Sequence, residues 1–202
     1  MAPKIVAIVG TYRKGRVIDT AVDEMLAGAV SAGAQTEKIM LLDRHIEFCT
    51  NCRDCTQQPG SQRGQCPLQD DLTGILDALD KADGIVLASP INFGNVTALM
   101  KRFIERLICY AYWPWDIKKA PKLRIQKPTR QAVLAVSSMC PAFPGRLLMA
   151  NPLRTMKTAA RCVGAGTIGT CYFGLTAVSR DETLSEKNRQ KAFQMGRTLA
   201  SA

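Results

Sequence analysis

The fold is decided by two adjoining stretches near the N-terminus, Lys-Ile-Val-Ala-Ile-Val at residues 4–9 and Gly-Thr-Tyr-Arg-Lys-Gly-Arg-Val at residues 10–17. The first is a continuous apolar run that ends at a glycine, as a strand buried on both faces does. After the second, apolar residues recur at helical spacing until Gly33 ends the helix. A strand, a glycine-containing loop and an amphipathic helix, in that order, predict the first unit of an α/β fold.

The alternation of strand and helix continues along the whole chain. The apolar pattern predicts further strands over 35–42, 84–89, 131–137 and 167–173, and helices near 72–79, 96–107, 146–161 and 183–201. Such alternation requires a parallel sheet, so we expect one α/β domain over 1–202: a doubly wound five-stranded parallel sheet in a three-layer αβα arrangement. Ligands of these sheets bind beyond the carboxyl ends of the strands, which directs attention to loops 10–17, 89–95 and 137–145.

Composition narrows the class of protein. Of the 202 residues, 47% are hydrophobic and 22% charged, which argues against a disordered chain or a fibre. The longest uncharged run, 132–145, contains two prolines and is shorter than the roughly 20 apolar residues of a membrane span. The apolar run at 5–9 is too short for a signal-peptide core. We therefore expect a cytoplasmic protein with no membrane contact, whose 8 cysteines are reduced.

The chain is strongly basic: it has 27 Lys and Arg residues and 17 Asp and Glu residues, which gives a net charge of +10. Half of the excess positive charge lies in one segment, 116–130, which contains six basic residues and a single acidic one, Asp116. This segment is either a solvated loop or a patch that attracts an anionic ligand or an acidic partner. No zinc-finger or RNP pattern is present, so we expect no nucleic-acid partner.

The first loop is a candidate phosphate site. Backbone N–H groups and the positive end of the helix dipole converge where a loop opens a helix, and nearby hydroxyl and basic side chains add donors. The spacing imitates a P-loop, but Arg16 and Val17 stand where Lys and Ser or Thr are needed, so an NTPase is rejected. The alternative is a plain basic turn. The candidate residues are Gly10, Thr11, Arg13, Lys14, Gly15, Arg16 and Val17.

The loop after the third strand is suited to a planar ring. Its residues can present backbone amides and a flat apolar surface; the alternative is an ordinary strand-to-helix turn capped by Asn95. The candidates here are Pro90, Ile91, Asn92, Phe93, Gly94 and Asn95, joined by Ser137 and Ser138 at the end of the fourth strand. A literal G-x-G-x-x-G at 164–169 follows a helix and precedes a strand, the reverse of a dinucleotide fingerprint, and predicts only a tight turn.

The long loop at 43–69 holds Cys49, Cys52, Cys55 and Cys66. Close C-x2-C-x2-C spacing suits an iron–sulfur cluster, with Cys66 as the fourth thiolate. A redox-active pair and small residues in a packed loop are the alternatives. We assign no metal ligands and expect less than one iron per chain. The other four cysteines are predicted to lie in the core.

Together these residues resemble the NADPH-dependent FMN reductase family of the flavodoxin-like superfamily, and within it the iron–sulfur flavoprotein branch. The loop Gly10-Thr11-Tyr12-Arg13-Lys14 is similar to the family's Gly-Ser-x-Arg phosphate loop, and Ser89-Pro90-Ile91-Asn92-Phe93 to its Ser-Pro-x-Tyr flavin loop, with Asn92 in place of the aromatic residue. The cysteine run before Asp70-Asp71 matches the branch, although ten residues separate Cys55 from Cys66 where the branch has fewer.

The resemblance implies a flavodoxin-like fold and an FMN-dependent oxidoreductase. NAD(P)H would reduce the flavin, which would pass electrons to a small-molecule acceptor such as a quinone, free flavin or metal ion; a [4Fe–4S] cluster is an uncommitted addition. The resemblance also implies a homodimer or homotetramer. We expect the aromatic segment 110–115 to lie at or near the contact between subunits. Light scattering, which measures the mass in solution, tests this expectation. The segment 111–130 is predicted to be an aromatic and basic insertion in the domain. Two hypotheses compete with the reductase: an electron carrier without NAD(P)H activity that docks through the basic stretch 116–130, and a nucleotide- or nucleic-acid-binding module without redox chemistry.

Overall fold

The computed structural model describes residues 2–116, 118–140, 147–174, 179 and 181–202. Seven strands occur in this part of the chain: β1 (Lys4–Val9), β2 (Gln35–Met40), β3 (Gly84–Pro90), β4 (Ala111–Tyr112), β5 (Lys122–Leu123), β6 (Arg130–Ser138) and β7 (Ala165–Gly174). Five of them form one parallel sheet in the order β2-β1-β3-β6-β7. The two short strands β4 and β5 pair antiparallel within the insertion at 111–130. Most of predicted loop 137–145, from Pro141 on, lies outside the described residues.

Within the residues that the structure describes, five α-helices with defined bounds cover the sheet: α1 (Val17–Ser31), α2 (Leu72–Asp80), α3 (Ala98–Arg106), α4 (Ala150–Cys162) and α5 (Glu186–Ala200). Successive residues of β1 point to opposite faces, so that Val6 and Ile8 pack with α2, α3 and α4, whereas Ile5, Ala7 and Val9 pack with α1 and α5. Both faces are therefore buried. The predicted doubly wound, three-layer αβα fold is confirmed.

The predicted elements differ from the observed ones mainly at their ends. The second strand stops at Met40, where the chain turns into a short 3-10 helix over Leu41–Asp43. The third helix begins at Ala98, because the hydroxyl of Thr97 accepts the N–H of Met100 at 3.2 Å and so caps it. Asn95 is therefore not the cap. Gly164 occupies a left-handed conformation (φ +73°) in the turn between α4 and β7, as its place after a helix predicted.

Helices α1 and α5 approach so closely that two positions accept only glycine. A Cβ on Gly28 would lie 2.0 Å from the carbonyl oxygen of Phe193, and a Cβ on Gly196 would lie 1.7 Å from that of Met25. Backbone atoms on both sides cannot move aside without separating the helices. These two glycines therefore allow α1 and α5 to pack closely, and this packing fixes the position of α1 and of its N-terminus.

We expect Gly196→Ala to lower the free energy of unfolding by about 3 kcal/mol, the upper part of the range for overpacking a core. Gly74→Ala is the matched control, because Gly74 lies in α2 with no atom within 4 Å of the added Cβ. Alanine there should raise the free energy of unfolding by about 0.5–1 kcal/mol. Urea denaturation measures both. Equal effects of the two substitutions would contradict the close helix contact.

Candidate functional site

A cavity of about 390 Å³ opens at the edge of the sheet where β1, β3 and β6 end. These strands are adjacent and parallel, so their carboxyl ends meet at one edge, where ligands of open α/β sheets bind. The three loops singled out in the sequence contribute to this cavity. Its lining consists of Thr11, Tyr12, Arg13, Arg16, Val17, Ile18, Pro90, Ile91, Asn92, Ser137, Ser138, Met139, Ser179 and Glu182.

Gly10 shapes the first loop without lining the cavity. A Cβ at this position would lie 2.6 Å from the Cβ of Met100, so only glycine lets the end of β1 pass beneath α3. The Thr97 hydroxyl donates to the carbonyl oxygen of Gly10 at 2.6 Å and fixes the contact. The buried Thr11 follows, and its hydroxyl oxygen accepts the N–H of Arg13 at 3.2 Å.

The N-terminus of α1 faces the cavity through Val17 and Ile18. Arg16, the residue before the helix, makes no capping hydrogen bond with its side chain. First-turn N–H groups and the positive helix end are suited to an anion. Arg16 itself is held by Asp181 at 2.6 Å. Lys14 is not among the lining residues and pairs with Asp43 at 2.6 Å.

A buried carboxylate under the first loop was not predicted from the sequence. Asp19 accepts the N–H of Gly15 at 2.6 Å, and Gly15 is in the left-handed conformation at φ +68°. Lys38 from β2 pairs with Asp19 at 2.5 Å and with Asp23 at 2.6 Å. Burial lowers the pKa of Lys38, but hydrogen bonds to the two carboxylates outweigh it and keep the pKa above its usual value. The carboxylate thus fixes the loop while the ammonium balances its charge.

The loop after β3 is a two-residue hairpin turn. The backbone of Asn92 exchanges hydrogen bonds with that of Asn95, at 2.8 and 3.0 Å, and both intervening residues, Phe93 and Gly94, have positive φ, as in a type I′ turn. The Phe93 side chain is fully exposed at the tip. Of the six candidates in this loop, Pro90, Ile91 and Asn92 line the cavity, whereas Phe93, Gly94 and Asn95 do not.

The fourth predicted strand is β6, and the two serines at its carboxyl end reach the cavity, as expected from the sequence. Ser137 and Ser138 are both buried and line the cavity, and the Ser138 hydroxyl oxygen accepts the N–H of Cys140 at 3.0 Å. The sequence reasoning missed five lining residues: Tyr12, Ile18, Met139, Ser179 and Glu182. Extending the carboxyl-end rule to the segment after β7 would have found the last two.

The cysteine loop lies in a second region that shares no lining residue with this cavity. There, a cavity of about 750 Å³ is lined by Cys66 and Cys109 together with residues of α2. Asp70 and Arg106 form a buried ion pair beside it at 2.6 Å. Arg106 also donates to the carbonyl oxygen of Glu47 at 2.7 Å and to the sulfur of Cys66 at 3.3 Å. One guanidinium therefore joins α3 to both ends of the cysteine loop.

The four thiols of the loop share one electrostatic neighbourhood. The pKa of the buried Cys55 is raised to about 11, first by burial and then by the neighbouring Cys66, Cys52 and Cys49. Within the described ranges no three His, Cys, Asp or Glu side chains are arranged to hold a metal ion. Four cysteine thiols are the number and kind of donors that an iron–sulfur core takes, so the loop matches such a core in its chemistry, although no three of these side chains are arranged around one metal ion here. His45 is exposed and pairs with Glu47 at 3.0 Å.

Part of the basic segment 116–130 is structural. Arg124 is buried and donates to three carbonyl oxygens, those of Cys109, Gly60 and Cys55, at 3.1–3.2 Å. Arg130 donates to the carbonyl oxygen of Leu79. The lysines of the segment are exposed and remain available as a basic patch: Lys118, Lys119, Lys122 and Lys127.

The sheet order, the two helical layers and the cavity at the carboxyl ends define a flavodoxin-like protein, and known structures agree with this class. An archaeal flavodoxin superposes with a TM-score of 0.56 at 12% identity, covering 98% of this chain and 96% of that one. An NAD(P)H:quinone oxidoreductase from Methanothermobacter marburgensis superposes with a TM-score of 0.73 at 17% identity, covering 98% of this chain and all of the other. At these identities the likeness concerns the fold.

The chain belongs to the NADPH-dependent FMN reductase family, whose pattern it matches over residues 3–177. The resemblance read from the loops is thereby confirmed, with FMN as cofactor and a nicotinamide as electron donor at the level of the family. A relative named iron–sulfur flavoprotein, from Archaeoglobus fulgidus, is 32% identical over 111 residues, 55% of this chain and 48% of the relative. This chain therefore spans about half the length of the curated relatives it matches. No helix of the described residues is long and apolar enough to cross a membrane.

The ion pair beneath the cysteine loop should make stability depend on pH. Burial opposes the ionisation of Asp70, but hydrogen bonds from Arg106 and from the N–H groups of Glu47 and Leu72 prevail and lower its pKa. Since the folded-state pKa lies below the unfolded one of about 3.9, the stabilisation is complete above that pH and is lost as pH falls through the folded-state pKa.

At pH 7 we expect Asp70→Asn to lower the free energy of unfolding by about 3–5 kcal/mol, because it leaves a buried charge without its partner. The difference from the wild-type protein should shrink below about pH 4 as Asp70 itself becomes protonated. Urea denaturation at several pH values measures this. A difference that stays constant down to pH 2 would show that the ion pair is not its source.

Proposed function

We propose that this protein is an FMN-dependent NAD(P)H oxidoreductase that passes electrons from a nicotinamide to a small-molecule acceptor such as a quinone, a flavin or a metal ion. The observation that carries the proposal is the 390 Å³ cavity, where a helix N-terminus and two arginines face one end and apolar side chains line another part. This combination suits a ligand with a phosphate and a planar ring. Family membership supports FMN as that ligand.

The phosphate would bind at the N-terminus of α1. Backbone N–H groups of the first turn and the guanidinium of Arg13 would supply charge-assisted hydrogen bonds. Gly15, fixed by Asp19, keeps the loop in one conformation before any ligand arrives. Arg16 would bind the phosphate only by giving up its ion pair with Asp181. Its net contribution to the free energy of FMN binding is therefore smaller than that of a free arginine.

The ring would lie against Pro90, Ile91 and Asn92, with Ser137 and Ser138 as polar neighbours. The hairpin turn at Phe93 and Gly94 makes this loop rigid, because two reciprocal backbone bonds close it. Bound FMN supplies the redox chemistry, and the protein supplies orientation and electrostatics. We assign no acid–base residue. Truncation of Asn92 would accordingly affect flavin reduction more than FMN affinity.

Exposed apolar side chains on the three loops form a rim next to the cavity, which two of them, Tyr12 and Met139, also line. Tyr12, Phe93 and Met139 are 47%, 110% and 52% exposed, and all three belong to loops at the carboxyl ends of the strands. Such a rim favours a planar apolar acceptor, or the nicotinamide, over a strongly polar one. It is also a surface that a second copy could cover. The homodimer or homotetramer, and its contact through segment 110–115, stay predictions.

A second candidate is an iron–sulfur flavoprotein that carries electrons to a partner redox protein. The close C-x2-C-x2-C spacing of Cys49, Cys52 and Cys55, followed by Cys66, favours it, as do the names of the relatives. These four thiolates would hold the cluster, which would supply one-electron transfer. The exposed face of α4 carries Arg154, Lys157 and Arg161, which have no ion pair within the described residues and would attract an acidic partner.

Arg13→Ala should weaken FMN binding by about 1.5–3 kcal/mol, the scale of a hydrogen bond to a charged group, which is about tenfold or more in Kd. Arg44→Ala is the control, since Arg44 is an exposed arginine that does not line the cavity. Quenching of FMN fluorescence on titration measures both affinities. Equal FMN affinities of the two variants would show that the phosphate does not bind at this loop.

Iron content separates the two candidates. If the second is right, anaerobically purified protein contains about four iron and four acid-labile sulfides per chain, because four thiolates hold a [4Fe–4S] core. Cys66→Ala should then lose most of that iron, whereas Cys171→Ala, in the core between the sheet and the α1 and α5 layer, should keep it. Less than one iron per wild-type chain would exclude the second candidate and leave the first.

A further inference from the structure

The cysteine run is held in an unusual backbone conformation. Asn51 and Arg53, which flank Cys52, both lie in the left-handed region, with φ of 56° and 63°. Residues other than glycine occupy this region at a cost in free energy, and they persist there when surrounding contacts impose it. Asn is enriched in the left-handed region, so Arg53 is the residue whose conformation calls for an outside contact.

The contacts that impose it come from the aromatic segment 110–115. The guanidinium carbon of Arg53 lies 3.7 Å from the centre of the Trp113 ring and 3.9 Å from that of Trp115, so the side chain is stacked between two indoles. Its terminal nitrogen donates to the carbonyl oxygen of Trp113 at 2.6 Å. A planar guanidinium suits such stacking, whereas a lysine ammonium offers only a point charge.

Backbone and side-chain hydrogen bonds close the same contact. The N–H of Trp113 donates to the carbonyl oxygen of Thr56 at 2.9 Å. The single O–H of Thr56 lies within donating distance of two carbonyl oxygens, that of Arg53 at 2.7 Å and that of Trp113 at 3.0 Å. The N–H of Trp115 donates to the side-chain oxygen of Gln57 at 3.1 Å. Residues 53–57 and 113–115 therefore behave as one unit, and this unit contains Cys55.

We propose that Arg53, Trp113 and Trp115 are positioning residues for the thiol site, and that the stacked arginine sets the relative placement of Cys52 and Cys55. The inference rests on the second candidate function, in which these thiols are ligands. It assigns to the aromatic segment a role within its own chain. Without the stack, Arg53 would leave the left-handed region, and the backbone that carries the buried Cys55 would lose this anchor.

The test measures thiol protection in the full-length chain freed of iron by chelation. A pulse of N-ethylmaleimide followed by peptide mass spectrometry gives a labelling rate for each cysteine. We expect Arg53→Ala and Trp113→Ala to raise the rate of Cys55 at least tenfold, and Trp113→Phe, which keeps an aromatic face, to raise it less than threefold. Cys171, buried in the other helical layer, should stay protected throughout. Arg154→Ala, an exposed arginine on α4, is the matched control.

Either of two results would overturn the proposal: an unchanged rate at Cys55, or a parallel rise at Cys55 and Cys171, which would mean general destabilisation. A second measurement is the iron bound after anaerobic reconstitution. Arg53→Ala should bind less than half of the wild-type amount, and Trp113→Phe more than three quarters; equal loading of Arg53→Ala and wild type would also count against positioning. If the wild-type chain itself binds no iron, the second candidate function fails. The labelling rates then still decide whether Arg53, Trp113 and Trp115 hold Cys55 in place.

Discussion

The side-by-side, parallel arrangement of β1, β3 and β6 is the constraint on which the rest of the structure depends. Parallel strands need crossover helices, and these bury both faces of the sheet, which is why β1 from Ile5 on, most of β3 and the middle of β6 are apolar. The same arrangement brings three loops to one edge. Gly10 completes it, because α3 can lie directly over the end of β1 only where no Cβ stands between them.

Helix α3 connects the two chemically distinctive regions. Thr97 at its start bonds to Gly10 beside the 390 Å³ cavity, and Arg106 at its end bonds to Cys66 in the cysteine loop. The helix has 9 residues, and a rise of about 1.5 Å per residue makes it about 14 Å long. A displacement of α3 would therefore be felt in both regions, although they share no lining residue.

The net charge of +10 describes the surface poorly, because several cations act inside the protein. Arg106 neutralises a buried carboxylate, Arg124 satisfies three carbonyl oxygens and Arg53 is stacked between indoles. Guanidinium suits these positions, since it offers several directed donors and a flat face. The exposed basic residues include Arg154, Lys157 and Arg161 on α4 and the lysines of 118–127, and these bear on docking and not on the fold.

The sequence by itself determined the order and kind of the elements, because hydrophobic periodicity is local and the run at 4–9 admits only a strand buried on both sides. It also located the loops that line the 390 Å³ cavity, since the carboxyl ends of parallel strands meet at one edge. It could not assign side chains within those loops: Phe93 was expected to face a ring and points to solvent, because the positive φ values at Phe93 and Gly94 close a hairpin turn. Tertiary structure alone decided that Asp19 fixes Gly15, that Arg106 reaches Cys66 and that Arg53 is stacked between Trp113 and Trp115. Each of these contacts, apart from the first, joins residues far apart in the chain, and all depend on where a charged side chain finds its partner when the chain is folded.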